Sequence, residues 1–105
     1  MDDNLLQLGG NIELSGFSCL DGGAMIILKK IVGNYAKKMA DRSKNFEKLS
    51  LTIKSVHETE KSKKYELHAK LIDNGKAHTS SAVDRNVFVA IDSSLKAIMN
   101  SLGKI

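Results

Sequence analysis

The stretch KKYELHAKLIDNGKAHTSSAV, residues 63–83, decides the fold. Its first half alternates, with Tyr65, Leu67, Ala69 and Leu71 on one face and Glu66, His68 and Lys70 on the other. That is the period of two expected of a half-buried strand, and it predicts one over Lys63 to Ile72. Asp73-Asn74-Gly75 follows, and because Asn and Gly accept the positive φ of tight turns, it signals a hairpin. Lys76 to Val83 reads as the returning strand, though its small residues leave the inward face open. Upstream, Phe46 to Val56 alternates in the same way, with Leu49, Leu51 and Ile53 set against Ser50, Thr52 and Lys54. Between these two strands, His57 through Lys64 is charged and lacks apolar residues, which predicts a turn.

Asn11 to Ser15 forms a further alternating segment, with Ile12 and Leu14 apolar. Residues 16–23 hold three glycines and Asp21, a loop with a helix N-cap near its end. From Ala24 to about Asp41 the period becomes helical. Ala24, Ile27, Leu28, Ile31, Val32, Tyr35 and Met39 share one broad side, and Lys29, Lys30 and Lys37 lie opposite. Ile26 falls among those lysines without a core role. Gly33 lies in the same outward arc, where it costs about 1 kcal/mol of helix propensity relative to Ala. Asp84 is placed to cap a second helix in which Val87, Ile91, Ser94, Leu95, Ile98 and Leu102 share a face, with Gly103 near its end.

The order β-α-β-β-β-α, with strands apolar on one face only, implies a sheet covered on one side. The expected fold is a two-layer α+β sandwich, a four-stranded sheet with both helices on one face, similar to a double-stranded-RNA-binding domain. Residues 1–10 read as an N-terminal extension and 11–105 as a single domain. Leu, Ile, Val and Phe make up about 28% of the 105 residues, above the ~20% below which charged chains tend to stay disordered. No run approaches a membrane span, and no signal peptide opens the chain. One cysteine excludes an internal disulfide framework and fits a reducing cytosol.

Catalytic chemistry finds little support. His57, His68 and His78 lack helical ligand spacing, and one cysteine cannot build a Cys-rich zinc site. Cys19 has no base in sequence to make it a nucleophile. Gly22-Gly23 precedes a helix but lacks the Lys-Ser/Thr of a phosphate-binding P-loop. The sequence therefore predicts a protein that is not an enzyme and has no metal or cofactor.

Charge is more informative. The net +4 divides into −4 over residues 1–28, +5 over 29–48, −1 over 49–60, +3 over 61–76 and +1 over 77–105. Two positive blocks suggest a polyanionic partner, while a solvated helix face and a lysine-rich turn would account for the same charges. Sheets that read single-stranded RNA carry exposed aromatics for base stacking. The outward set Ser50, Thr52, Lys54, Glu66, His68 and Lys70 has none. The cations instead suit backbone phosphates of folded RNA, read by shape and charge.

Asn74 to Asp92, and in it Asn74, Gly75, Ser81, Ala82, Phe88 and Ala90-Ile91-Asp92, resembles the hairpin-to-helix segment of the ribosome hibernation-promoting factor and ribosome-associated inhibitor family. Ile12-Glu13-Leu14-Ser15-Gly16 is similar to that family's first strand, and Tyr35-Ala36-Lys37-Lys38 to its basic first helix. The likeness covers about residues 11–102. The resemblance implies a cytoplasmic protein that docks on the small ribosomal subunit near the decoding centre, blocks the path of mRNA and tRNA, and catalyses nothing. It makes Lys29, Lys30, Lys37 and Lys38 rRNA-contact candidates. Charge alone adds Arg42, Lys44, Lys61, Lys63, Lys64 and Arg85. Asp92 matches the family, with a role as a helix-surface or packing residue as the alternative.

The chain departs from the family in its longer glycine-rich loop before helix one and in the few cations of its second helix. Without the further domain of long members, pairing of ribosomes through such a domain is not expected. The partners expected are rRNA and the small subunit, neither DNA nor a membrane, with the protein a monomer or weak homodimer. Two other readings remain at this point. One is a protein-interaction (dimerising) module, suggested by the uncovered sheet face, Ile26, Val89 and the acidic Asp2 and Asp3. The other is a generic double-stranded RNA-binding domain.

Overall fold

The computed structural model describes residues 6–7, 11–59 and 62–102. The chain runs β1 (Leu6–Gln7), β2 (Ile12–Ser15), a 3-10 turn (Phe17–Cys19), α1 (Gly22–Arg42), β3 (Phe46–Thr59), β4 (Ser62–Asp73), β5 (Lys76–Asp84) and α2 (Val87–Leu102). The sheet follows sequence order, β1-β2-β3-β4-β5. Among the described strands only β2 and β3 are parallel, with α1 as the crossover between them. The expected two-layer α+β fold is present, and the four main strands gain a short fifth where Leu6 and Gln7 lie antiparallel to Leu14 and Glu13.

Period-two patterning places the core. Leu14, Leu49, Leu51, Ile53, Leu67, Ala69 and Leu71 are buried on one sheet face. Leu28, Val32, Ala36 and Met39 of α1 and Val87, Ala90, Ile91, Leu95, Ile98 and Met99 of α2 pack into the same cluster. Register settles the inward face of β5. Leu71 lies opposite His78, Ala69 opposite Ser80 and Leu67 opposite Ala82, so the even-numbered residues face the helices. Ser80 then donates its hydroxyl to the Ser94 carbonyl at 2.6 Å, and buried Ser94 donates to the Ile91 carbonyl at 2.9 Å. Small residues in β5 thus let α2 sit close, with its one buried hydroxyl satisfied.

Four expectations need correction. The turn expected over His57 through Lys64 is mostly strand, since β3 continues to Thr59 and β4 starts at Ser62, with His57 opposite Lys63. Ladder hydrogen bonds are made by the backbone, so a run of charged residues does not by itself end a strand. The second helix is capped by Asn86, whose side-chain oxygen accepts from the Phe88 amide at 2.9 Å and the Val89 amide at 3.4 Å. Asp84 ends β5 and holds the Asn86 amide at 2.9 Å. Finally, α1 begins at Gly22, with Asp21 accepting from the Ala24 amide at 2.7 Å, and Ile27 is 49% exposed while Ala36 is buried. The buried stripe follows an i, i+4 line from Leu28, narrower than the apolar side of the helical wheel.

Gly16 joins β2 to the helical layer with φ +84°, and a Cβ there would stand 2.6 Å from the Ile53 carbonyl oxygen. Neither the left-handed backbone nor that contact admits a side chain. Gly16→Ala should lower unfolding stability by about 1–3 kcal/mol, read from denaturant midpoints.

Candidate nucleic-acid interface

Burial of the Leu28–Met39 stripe turns the opposite side of α1 to water. Residues seven apart on a helix lie about 20° apart around the axis and about 10.5 Å along it, so Lys30 and Lys37 stand in line. Lys29, Lys30, Lys37 and Lys38 are all exposed, and none is in an ion pair with a described residue. Lys38 holds its ammonium 5.8 Å from the Tyr35 ring centroid, a cation–π position. Gly33 lies between Lys30 and Lys37, and a Cβ added there meets nothing within 4 Å. Packing does not require the glycine. Its effect is a low point between two cations, where another molecule's backbone can come close.

An open cleft of about 320 Å³ lies at the C-terminal ends of both helices, lined by Arg42, Lys44, Asp73, Asn74, Lys76, His78, Ser101 and Leu102. The chain between α1 and β3 is fastened to the β4–β5 turn. The Asn45 amide donates to Asp73 at 2.8 Å, the Asn74 amide to the Asn45 carbonyl at 2.9 Å, and the Gly75 amide to Glu47 at 3.0 Å. Asn74 and Gly75 take φ of 53° and 81°, the positive pair that the sequence signalled. Asp73 and Glu47 thus accept backbone N–H groups. Arg42, Lys44 and Lys76 have no ion-pair partner among the described residues. Their charge also complements the partial negative charge of the helix ends. His78 is bonded through Nδ1 to the Ser101 hydroxyl at 2.9 Å.

The remaining candidates do not gather here. Arg85 is exposed in the β5–α2 connection, beside Asp84, at the end of the sheet away from the cleft. Lys64 is half-buried in β4. Lys61 lies outside the described residues, and Lys63 is placed by its backbone alone, opposite His57. Lys48, part of the +5 block, is held by Glu13 at 3.1 Å across β2 and β3. Sequence reasoning missed Lys76 and His78. The available signal was the two-residue turn, which puts Lys76 directly opposite Asp73.

The uncovered sheet face carries Ser50, Thr52, Lys54, His68, Lys70 and Thr79, with His68 2.8 Å from Glu66. No described aromatic belongs to it; Tyr65, Phe46 and Phe88 pack against the core. Among the described residues, no group of three or more His, Cys, Asp or Glu could hold a metal ion. Among the described residues, no helix is long and apolar enough to cross a membrane.

Tyr35 donates its hydroxyl to Asp92 at 2.5 Å, joining α1 to α2. This gives Asp92 a packing role between the two helices. Burial first, and then the Asp92 carboxylate, push the phenol from its ordinary 10 up to about 12. No protein-family model matches the sequence, and no curated protein matches it either.

Because folding raises this pKa, the Tyr35 contribution is complete below pH 10 and is lost as pH climbs from 10 toward about 12. Tyr35→Phe should remove that alkaline component from stability-versus-pH curves and cost about 0.5–1.5 kcal/mol at neutral pH.

Proposed function

We propose that the protein binds folded RNA of the small ribosomal subunit through backbone phosphates and, seated there, blocks the path of mRNA and tRNA. It acts in the cytoplasm as a hibernation-type inhibitor of translation, by occlusion and without catalysing a reaction. The observation that carries the RNA reading is a set of exposed cations without ion-pair partners among the described residues, Lys30 and Lys37 on the outer side of α1 and Arg42, Lys44 and Lys76 at the cleft. Ammonium and guanidinium groups free of carboxylates gain most from phosphate, because contact releases condensed counterions without breaking an internal pair. The exposed sheet face, lacking aromatics, favours a contact made by the helical layer and its edge over base stacking. The ribosomal assignment rests on the family resemblance. The Tyr35–Asp92 bond supports it, because two separately matched segments meet there.

Sucrose-gradient sedimentation tests the proposal. The protein should travel with small subunits in low salt and leave them as salt rises. With ~5–7 phosphate contacts, affinity should fall about three orders of magnitude between 50 and 200 mM salt. Protein remaining at the top of the low-salt gradient would overturn the reading. A plain RNA duplex that competes as well as ribosomes would instead identify a generic double-stranded RNA binder.

Lys30→Glu with Lys37→Glu should weaken binding and reduce the salt slope by about 2, while leaving stability within about 0.5 kcal/mol. Gly33→Ala separates the surface from the fold in the opposite sense. It should stabilise the protein by about 0.5–1 kcal/mol while weakening association, because a methyl group fills the low point between the lysines.

A further inference from the structure

Strand β5 is the last strand of the sheet, and its outer edge pairs with no other strand among the described residues. The opposite side ends in a two-residue strand, β1 on β2, so it offers only a short edge. Exposed edges are normally blunted by lysine, proline or a bulge. Between Lys76 and Asp84, β5 has no Lys, Arg, Asp, Glu, Pro or Gly, and its pairing with β4 runs without a register shift. Because Asp73 and Lys76 close a two-residue hairpin, backbone groups of the even-numbered residues bond to β4. Those of Ala77, Thr79, Ser81 and Val83 point to the open side.

We propose that β5 is a homodimerisation edge, pairing antiparallel with β5 of a second copy about a two-fold axis at Ser80. Charge selects the second copy as occupant, because this register is self-complementary. Lys76 meets the partner's Asp84, and Asp84 meets the partner's Lys76. Ala77 lies across from the partner's Val83, and Thr79 from the partner's Ser81, so the outward backbone groups of each copy face one another. Val83, 56% exposed in the single chain, gains an apolar neighbour. Even-numbered residues face even-numbered ones, so the two sheets join with all helices on one side. The dimer forms without RNA, and Lys76 and His78 of β5 also line the cleft.

Analytical ultracentrifugation of RNA-free protein over a concentration series tests this. The wild type should show a reversible species of twice the 11.5 kDa chain mass. In Thr79→Glu/Ser81→Glu, carboxylates oppose one another across the axis, and the dissociation constant should rise about ten-fold or more. Thr79→Glu/Ser81→Lys carries equally exposed substitutions but sets opposite charges across the axis, and it should remain dimeric. Circular dichroism should show all three proteins folded. A wild type that stays monomeric throughout, leaving the edge to a strand of some other protein, overturns the proposal. So do two double variants with equal dissociation constants, since the dimer would then use another surface.

Discussion

Both helices bury their apolar stripes on the same face of one sheet, and the positions of the charges follow from that. Because Leu28, Val32, Ala36 and Met39 are buried in the core shared with the sheet and α2, the lysines of α1 have one direction left, away from that core. The second layer leaves the other sheet face bare. That face stays polar because Ser50, Thr52, His68 and Thr79 alternate with the core residues. The molecule thus has two very different exteriors, one a mixed polar sheet and the other a helical layer edged with cations.

Bonds at the end of α1 turn this arrangement into a site. Without the Asn45, Asp73 and Glu47 contacts, the segment carrying Lys44 would be a loose connection. With them, Arg42, Lys44 and Lys76 border one cleft although they come from a helix end, a loop and a strand. The carboxylates there bond to backbone amides, and the nearby cations keep no ion-pair partner among the described residues. Lys48 shows the other outcome, since Glu13 sits across the strand pair and holds it.

Much of the fold could be read from the sequence because strand alternation, the Asn74-Gly75 turn and the Asp21 cap are local. The inward face of β5 could not, because Ala77 to Val83 has no strong apolar alternation and only pairing with β4 assigns it. The strands continue past Val56 for a similar reason, as hydrogen-bonded ladders leave no trace in side-chain polarity. At the candidate interface, the exposure of Lys30 and Lys37 was legible from helical period. The company of Arg42 and Lys44 was not. Segment charge grouped Lys76 with Lys61 and Lys64, whereas the hairpin carries Lys76 to the far end of β4.

The strand order also bears on how the chain reaches this architecture. β3, β4 and β5 are joined by tight connections, so their ladders close over short stretches of chain. The parallel pairing of Ile12 with Leu49 must instead close a segment that includes all of α1, at a higher entropic cost. The order expected from loop closure is meander first and crossover last. On that order the N-terminal strand and the basic helix dock last, onto an edge already formed by β3.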